Sequence, residues 1–398
     1  MEAPASAGPL RVARDSAEAP RRIAAGRAEW MRLTVLAEFR DEWRDLAGRA
    51  LEPNVFYDPA FALAAAPVFG ADAGAVLVWS KATPTRLIGL FPARTTRRYG
   101  VMTALTGWTH SYAPFGVPLV DREEADAAIT AFLDHIEADP KFPRLVLLPL
   151  IDRDGPFAAL LTRVLLRHGG ALAHFGEHAR ALLAPTAGRL RYLDHAVGGK
   201  KHKELRRQRR RLLEKGLLKV ASASTVDDIP RALSDYLALE AASWKGRAGS
   251  AARQNADICA FMQTAIESLA ANGGARIDRL MQNGHPLAAT ITLRSGDCAW
   301  FWKIAYDEDF AKFSPGVQVS LDLTELLLAE PDIARVDSCA TADHPMIDHL
   351  WRERLALADL LIAPSAAAQG QFAIALHLET LRRAFITAAK NVRDGLKR

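Results

Sequence analysis

The chain has 398 residues, 49% apolar and 24% charged, which exceeds one ordinary core and excludes a fibrous or wholly disordered protein. The net charge of +5 is mild, and no apolar run is long enough to span a bilayer. Cys259, Cys298 and Cys339 are far apart and form no CxxC pair, so a disulfide framework and a zinc site are not expected, and a reduced cytoplasmic setting is.

The first 27 residues are rich in Ala, Pro and Arg and lack the apolar core of a signal peptide, which predicts a disordered tail over 1–29. Leu36, Phe39, Trp43 and Leu46 have helical spacing and predict a helix over 36–50. Strands are expected at 75–79 and 87–93, then a helix over 123–138, a strand at 145–149, a helix over 156–168 and a strand at 171–183. Residues 200–215 hold nine Lys or Arg with a thin apolar stripe of Leu205, Leu212 and Leu213, which reads as a surface helix. Helices follow over 228–244 and 255–271. Strands at 275–281 and 286–293 flank Asn283-Gly284, a hairpin signal because both residues tolerate positive φ. A strand at 298–306, a helix over 317–330, strands at 335–339 and 356–362 and an amphipathic helix over 371–392 complete the chain. The two halves repeat one plan, and 75–94 lines up in pattern with 275–294. This predicts a tandem α/β protein, each unit a mixed central sheet flanked by helices, over 30–187 and 188–365, with a C-terminal helix over 366–398.

The stretch 307–319 is the most informative. Ser314-Pro315-Gly316 offers a hydroxyl for a cap, Pro for a first helical turn, and Gly for close backbone approach. A strand ending in such a turn presents unpaired N–H groups and the positive end of a helix dipole, which suits phosphate or another anion. Lys312, Ser314, Pro315, Gly316 and Val317 are therefore candidate cofactor-binding residues. Within the basic helix, Lys201, Arg206, Arg207 and Arg210 are candidate substrate contacts, with three readings open: a solvated face, a phosphate-binding surface, or a nucleic-acid contact. Glu240, Trp244, Lys245 and Arg247 lead into Gly246 and Gly249, a loop position where binding residues collect. Trp300, Trp302 and Tyr306 alternate along one side of a strand. They are core by default, and Trp302 and Tyr306 are candidates for sugar or pantetheine contact.

Taken together these residues carry a resemblance. A basic helix comes first, then Leu-Glu-Ala-Ala-Ser-Trp-Lys-Gly-Arg-Ala-Gly-Ser-Ala at 239–251 and the Asn-Gly hairpin. Trp-Phe-Trp-Lys-Ile-Ala-Tyr-Asp-Glu-Asp-Phe-Ala-Lys-Phe-Ser-Pro-Gly at 300–316 and Val-Asp-Ser-Cys at 336–339 complete the order. It resembles the GNAT-type acetyltransferase domain, in the branch of bacterial cellulose-biosynthesis acyltransferases. That branch is related to the Fem-type aminoacyltransferases, which also carry two GNAT-like halves. The resemblance covers 188–363 and reaches the first half by plan alone. It implies transfer of an acyl group from acyl-coenzyme A to an amine or hydroxyl, whereas in Fem relatives the donor is aminoacyl-tRNA. The chain departs from the family in two places. One glycine, Gly316, stands where the pyrophosphate loop usually has more, and no Tyr follows the strand at 335–339.

The resemblance further implies that backbone N–H groups stabilise the oxyanion where strands 298–306 and 335–339 splay. Asp337 and His344 are the candidate catalytic residues, either of which would take the acceptor's proton. The expectation is a cytoplasmic acyltransferase without a metal, using acyl-CoA (acetyl-CoA) and a small-molecule or saccharide acceptor such as a sugar or polysaccharide precursor. One alternative is a Fem-like transferase using aminoacyl-tRNA. The other is a degenerate GNAT scaffold that binds a partner through its basic helix.

Overall fold

The computed structural model describes residues 27–82, 84–98, 102–185 and 189–395. All but residues 27–29 of the expected tail, and the expected unit boundary at 187–188, lie outside the described residues. The first half runs β1 (Ala28–Arg32), α1 (Arg40–Gly48), α2 (Pro59–Phe69), β2 (Gly74–Trp79), β3 (Leu87–Arg98), β4 (Met102–Gly107), β5 (Leu119–Val120), α3 (Ala125–Ala138), β6 (Val146–Asp152), α4 (Pro156–Arg167) and β7 (Ala171–Leu183). The second half begins α5 (Tyr192–Ala196), α6 (Gly199–Leu213), β8 (Leu218–Ala223), α7 (Ile229–Ala242), α8 (Trp244–Arg247) and α9 (Ala256–Ala270). It continues β9 (Ala275–Gln282), β10 (His285–Ser295), β11 (Cys298–Tyr306), α10 (Pro315–Ala329), β12 (Arg335–Asp337), β13 (Glu353–Ala363) and α11 (Gln369–Gly395).

Local chemistry accounts for many of these limits. Asn283 and Gly284 take φ of 50° and 86° and close the β9–β10 hairpin as the pattern predicts. Asp58 caps α2 by accepting from the Ala60 N–H at 2.8 Å, and Asn255 caps α9 by accepting from Ile258 at 3.1 Å. Helix α2 escapes a pattern reading because Phe-Ala-Leu-Ala-Ala-Ala-Pro-Val-Phe is apolar on every side. One side of α2 is buried through Phe61, Ala62, Ala65 and Ala66, with Phe61 5.3 Å from Phe261 of α9 and 5.7 Å from Trp302 of β11. Strands β1, β4, β5 and β8 were likewise unpredicted, being short or lacking a clean alternation.

Among the described residues 13 strands form one mixed sheet in the order β1-β2-β3-β4-β6-β13-β7-β12-β11-β10-β9-β8, with β5 on β3. The expected mixed α/β architecture with flanking helices is present, and the two sheets run together as one. The order is symmetric about its middle. β4 and β6 are parallel, as are β11 and β12, and every other pairing is antiparallel. Each half also gives its last strand to the other. β13 pairs with β6, β7 pairs with β12, and the exchanged strands pair with each other from Glu353↔Leu182 to Ala363↔Ala171.

A buried polar cluster reinforces this seam. Arg335, the first residue of β12, lies 3.0 Å from Asp152 and 3.3 Å from Glu52, both of the first half, and its Nε donates to Cys298 Sγ at 3.2 Å. Burial pushes the Glu52 carboxyl up to about 7, against the pull of Arg335 and with Asp152 adding to the rise. The folded carboxyl therefore keeps its proton to a higher pH than the unfolded one. Glu52's contribution to stability is complete below its unfolded value and is lost as pH rises through about 7. The melting temperature of Glu52→Gln minus that of wild type should thus become more positive between about pH 5 and pH 8. A constant difference by calorimetry would remove Glu52 as the titrating group.

Candidate functional site

Strands β11 and β12 pair only from Cys298↔Arg335 to Trp300↔Asp337. Beyond that point β11 continues to Tyr306, while Cys339, at φ 52°, turns the other chain away. The β10–β11 ladder slips at the same level: Thr292 faces Phe301 and Ile291 faces Lys303, leaving Trp302 as the extra residue of a β-bulge. Strict alternation would put Lys303 beside Phe301, in the apolar cluster with Leu323 and Leu327 of α10. The bulge brings it round to the face of Trp302 instead. Its Nζ lies 4.1 Å from the centre of the Tyr112 ring and 5.5 Å from that of Trp302. The same slip corrects the expectation that Trp300, Trp302 and Tyr306 share a side. Trp300 and Trp302 pack towards α2 and α9, whereas Tyr306 lies against Gly316 at the start of α10.

Lys303 has no ion pair or hydrogen bond among the described residues. Burial and then the Lys245 ammonium lower its pKa, against the pull of Glu240, to about 8. Glu240 is buried and accepts from Lys245 Nζ at 2.8 Å, Tyr236 Oη at 3.1 Å and the Ala252 N–H at 2.9 Å. Although burial pushes its carboxyl up, those donors hold it below the usual value. The first half supplies the opposite wall. Burial and Glu240 raise the Tyr112 phenol, and burial with Lys303 nearby lowers His110 to about 3. Trp302 Nε1 donates to the Tyr112 carbonyl at 2.8 Å and fixes that loop on β11.

Asp337 and His344 have local structural tasks. Asp337 is buried in an ion pair with Arg180 of the exchanged strand β7, and its other oxygen accepts from the Cys339 N–H at 2.9 Å. Arg180 also donates to the Pro114 carbonyl at 2.9 Å. His344 Nδ1 accepts from the N–H groups of Met346 and Ile347 at 3.3 and 3.5 Å, closing a turn after β12.

The turn at 312–317, expected to bind a donor, departs from expectation in detail. Ser314 stands at the cap position of α10 but takes φ 52°, and its hydroxyl makes no bond to the helix amides. Pro315 is the first helical residue, so Gly316 and Val317 hold the N–H groups without intrahelical acceptors. Phe313 is buried against Leu212 of α6 and Leu287, with Lys312 and Lys215 Nζ 5.3 and 5.9 Å from its ring. Gln318 donates to the Leu205 carbonyl at 2.9 Å, and Arg209 pairs with Asp322 at 2.9 Å, so α6 is fixed beside α10. Lys201, Arg206, Arg207 and Arg210 lie on the exposed side of α6. Glu308 accepts from the Trp244 N–H at 2.8 Å and from Arg247 at 2.6 Å. It thereby ties the 244–247 segment to the chain leading into the turn at 312–317.

The same crossover in the first half, β4-α3-β6, is unsuited to an anion. Asp121, Glu123 and Glu124 precede α3, where Arg86 already serves all three and Arg49 also pairs with Asp121. Sequence reasoning passed over Lys303, Tyr112, Arg180 and Glu308. Lys303 alone carried a signal, as a lysine inside an otherwise apolar strand. Because Asp337 balances a buried guanidinium, Asp337→Asn should destabilise the fold by about 3 kcal/mol, read as a lower melting temperature. Unchanged melting would mean that Arg180 finds another partner.

Residues 199–345 match the family model for the acetyltransferase (GNAT) domain. No curated protein matches the chain in sequence. Among solved structures the chain is similar to FemX, at 12% identity and a TM-score of 0.54, covering 84% of this chain and 97% of that one. It is also similar to a chain described as the C-terminal domain of a candidate lysylphosphatidylglycerol synthetase from Agrobacterium fabrum, at 12% identity, 87% and 96% coverage and a TM-score of 0.50. A tandem GNAT protein from the clavulanic acid biosynthesis pathway aligns at 13% identity over 84% of this chain and 98% of that chain, with a TM-score of 0.40. Residues 199–345, in the second half, are thus similar to the acetyltransferase (GNAT) domain, and the fold of the chain is similar to that of FemX.

Proposed function

We propose that the protein is an acyltransferase that moves an acyl group from acyl-CoA to an amine or hydroxyl of a sugar, polysaccharide precursor or related metabolite. The observation that carries this reading is the splay between β11 and β12, with Lys303 turned by the bulge to the face of Trp302 and Tyr112, and Tyr306 of β11 against Gly316 of α10. Lys312, Ser314, Pro315, Gly316 and Val317 would hold the donor's phosphates. The edge of β11 that β12 leaves uncovered offers N–H groups to the oxyanion of a thioester under attack. An ammonium with a pKa of about 8 is charged near neutrality, yet close enough to a thiol to pass its proton to the departing sulfur. The neutral amine left behind then takes the acceptor's proton. Asp337, through Arg180 and Cys339, holds the shape of the splay in this scheme.

A second reading, with aminoacyl-tRNA as donor, is favoured by the exposed cations of α6 beside the donor turn. Thermal unfolding separates the two. Acetyl-CoA raises the melting temperature under the first reading, and only charged tRNA does so under the second.

Two variants sharpen the test. Gly316→Asp adds a carboxylate at the positive helix end and brings a Cβ to 3.1 Å from Tyr306 Cδ1. Affinity for acetyl-CoA should fall about 10-fold or more, and an unchanged Kd removes this turn from the donor site. Lys303→Met should lower kcat about 100-fold with little change in donor affinity. Wild-type activity should fall as pH rises through about 8, the Lys303 value, and that limb should vanish in the variant. A variant retaining both rate and limb would acquit Lys303.

A further inference from the structure

We propose that α6 is the docking surface for an acidic carrier protein, which presents the acyl group to the donor turn on a phosphopantetheine arm. This rests on the thioester reading above and names a macromolecular source for the donor. Helix α6 is about 22 Å long and buries Leu205, Gln208 and Leu212. Its opposite face turns Lys203, Arg206, Arg207, Arg210 and Arg211 outward. The internal counter-charges are weak: Lys201 is 3.6 Å from Glu204 and Arg210 is 3.9 Å from Glu214, both between exposed side chains. Such a face is complementary to a row of carboxylates.

Two features favour a protein over a nucleic acid. Leu213 and Leu217, 52% and 68% exposed, stand at the C-terminal end of the basic face. Apolar contact ringed by charge is the anatomy of a protein interface, whereas single-stranded nucleic acid is gripped by cations and stacked aromatic rings, and α6 has no Phe, Tyr or Trp. A single helix of this length also covers little of a polynucleotide backbone.

Position and chemistry agree with this choice. The end of α6 rests on the donor turn through Leu212 and Phe313, so a partner seated on α6 would have its prosthetic arm beside Gly316. That turn is poor in donors, since Pro315 has no N–H and Ser314 is in a left-handed conformation. The two amides of Gly316 and Val317 suffice for the single phosphodiester of such an arm. In the transfer the acyl C–S bond breaks and a C–N or C–O bond forms. The acceptor's proton ends on the carrier thiol, with no change of oxidation state.

Steady-state transfer from acetylated bacterial acyl carrier protein and from acetyl-CoA tests this directly, in wild type and in the double variant Lys203→Glu with Arg211→Glu. The expected result is a KM for the carrier protein that rises about 10-fold or more on charge reversal and climbs with salt. The KM for acetyl-CoA should stay within about 2-fold. Equal effects on both donors, or turnover of acetyl-CoA alone, would overturn the docking proposal while leaving the acyltransferase reading intact. Turnover of charged tRNA alone would overturn both. Binding of the unacylated carrier protein to wild type, followed by fluorescence anisotropy, keeps the proposal testable if the variant misfolds. Absence of salt-sensitive binding would reject it.

Discussion

Everything in this molecule depends on the reciprocal exchange of β7 and β13. Each is the last strand of its half, and each completes the other half's sheet. The central ladder is therefore built from residues nearly two hundred positions apart, with Leu182 opposite Glu353 and Ala171 opposite Ala363. Closing contacts of that separation is entropically expensive and slow. Once formed, the halves cannot part without breaking backbone pairing in the middle of the sheet. The Arg335, Glu52, Asp152 and Cys298 cluster adds a polar seam, and Phe56 and Phe61 against Trp300 and Trp302 an apolar one.

The exchange also explains why the site draws on both halves. Arg180 travels with β7 to the end of β12, where it neutralises Asp337 and holds the Pro114 carbonyl. The loop containing Pro114 also carries Tyr112, which faces Lys303. The acidic start of α3 is unsuited to an anion, and the first half contributes Tyr112 to the wall beside Lys303. Partial desolvation by that wall keeps the ammonium near neutrality in pKa, which an exposed lysine would not achieve.

A single inserted residue has a large consequence here. Without the bulge at Trp302, Lys303 would sit in the apolar layer under α10, where an unpaired ammonium is strongly disfavoured. With it, the lysine comes to the face of Trp302 and Tyr112, and Tyr306 passes to the opposite face, against Gly316. The basic helix reaches the same neighbourhood by another route. Leu205 and Leu212 tie it to α10 and Phe313, and its cations remain outside.

The amino-acid sequence by itself determined the elements whose signals are local. The Asn283-Gly284 hairpin, the Pro315 start of α10, the long strands and the basic helix follow from backbone preference and periodicity at short range. The mixed α/β class followed from their order. Strand exchange was not legible, because the pairing partner of β13 is chosen by burial across the whole sheet and not by neighbouring residues. Helix α2 was hidden by having no polar face, and the site walls by belonging to distant loops. Asp337 could be read as a residue at a strand end, but its ion pair with Arg180 of β7 could not. Lys303 looked like a strand residue until the bulge turned it. Charge and protonation depend on which groups are brought within a few ångströms and how much water is removed, and those are decided only when the two halves close on each other.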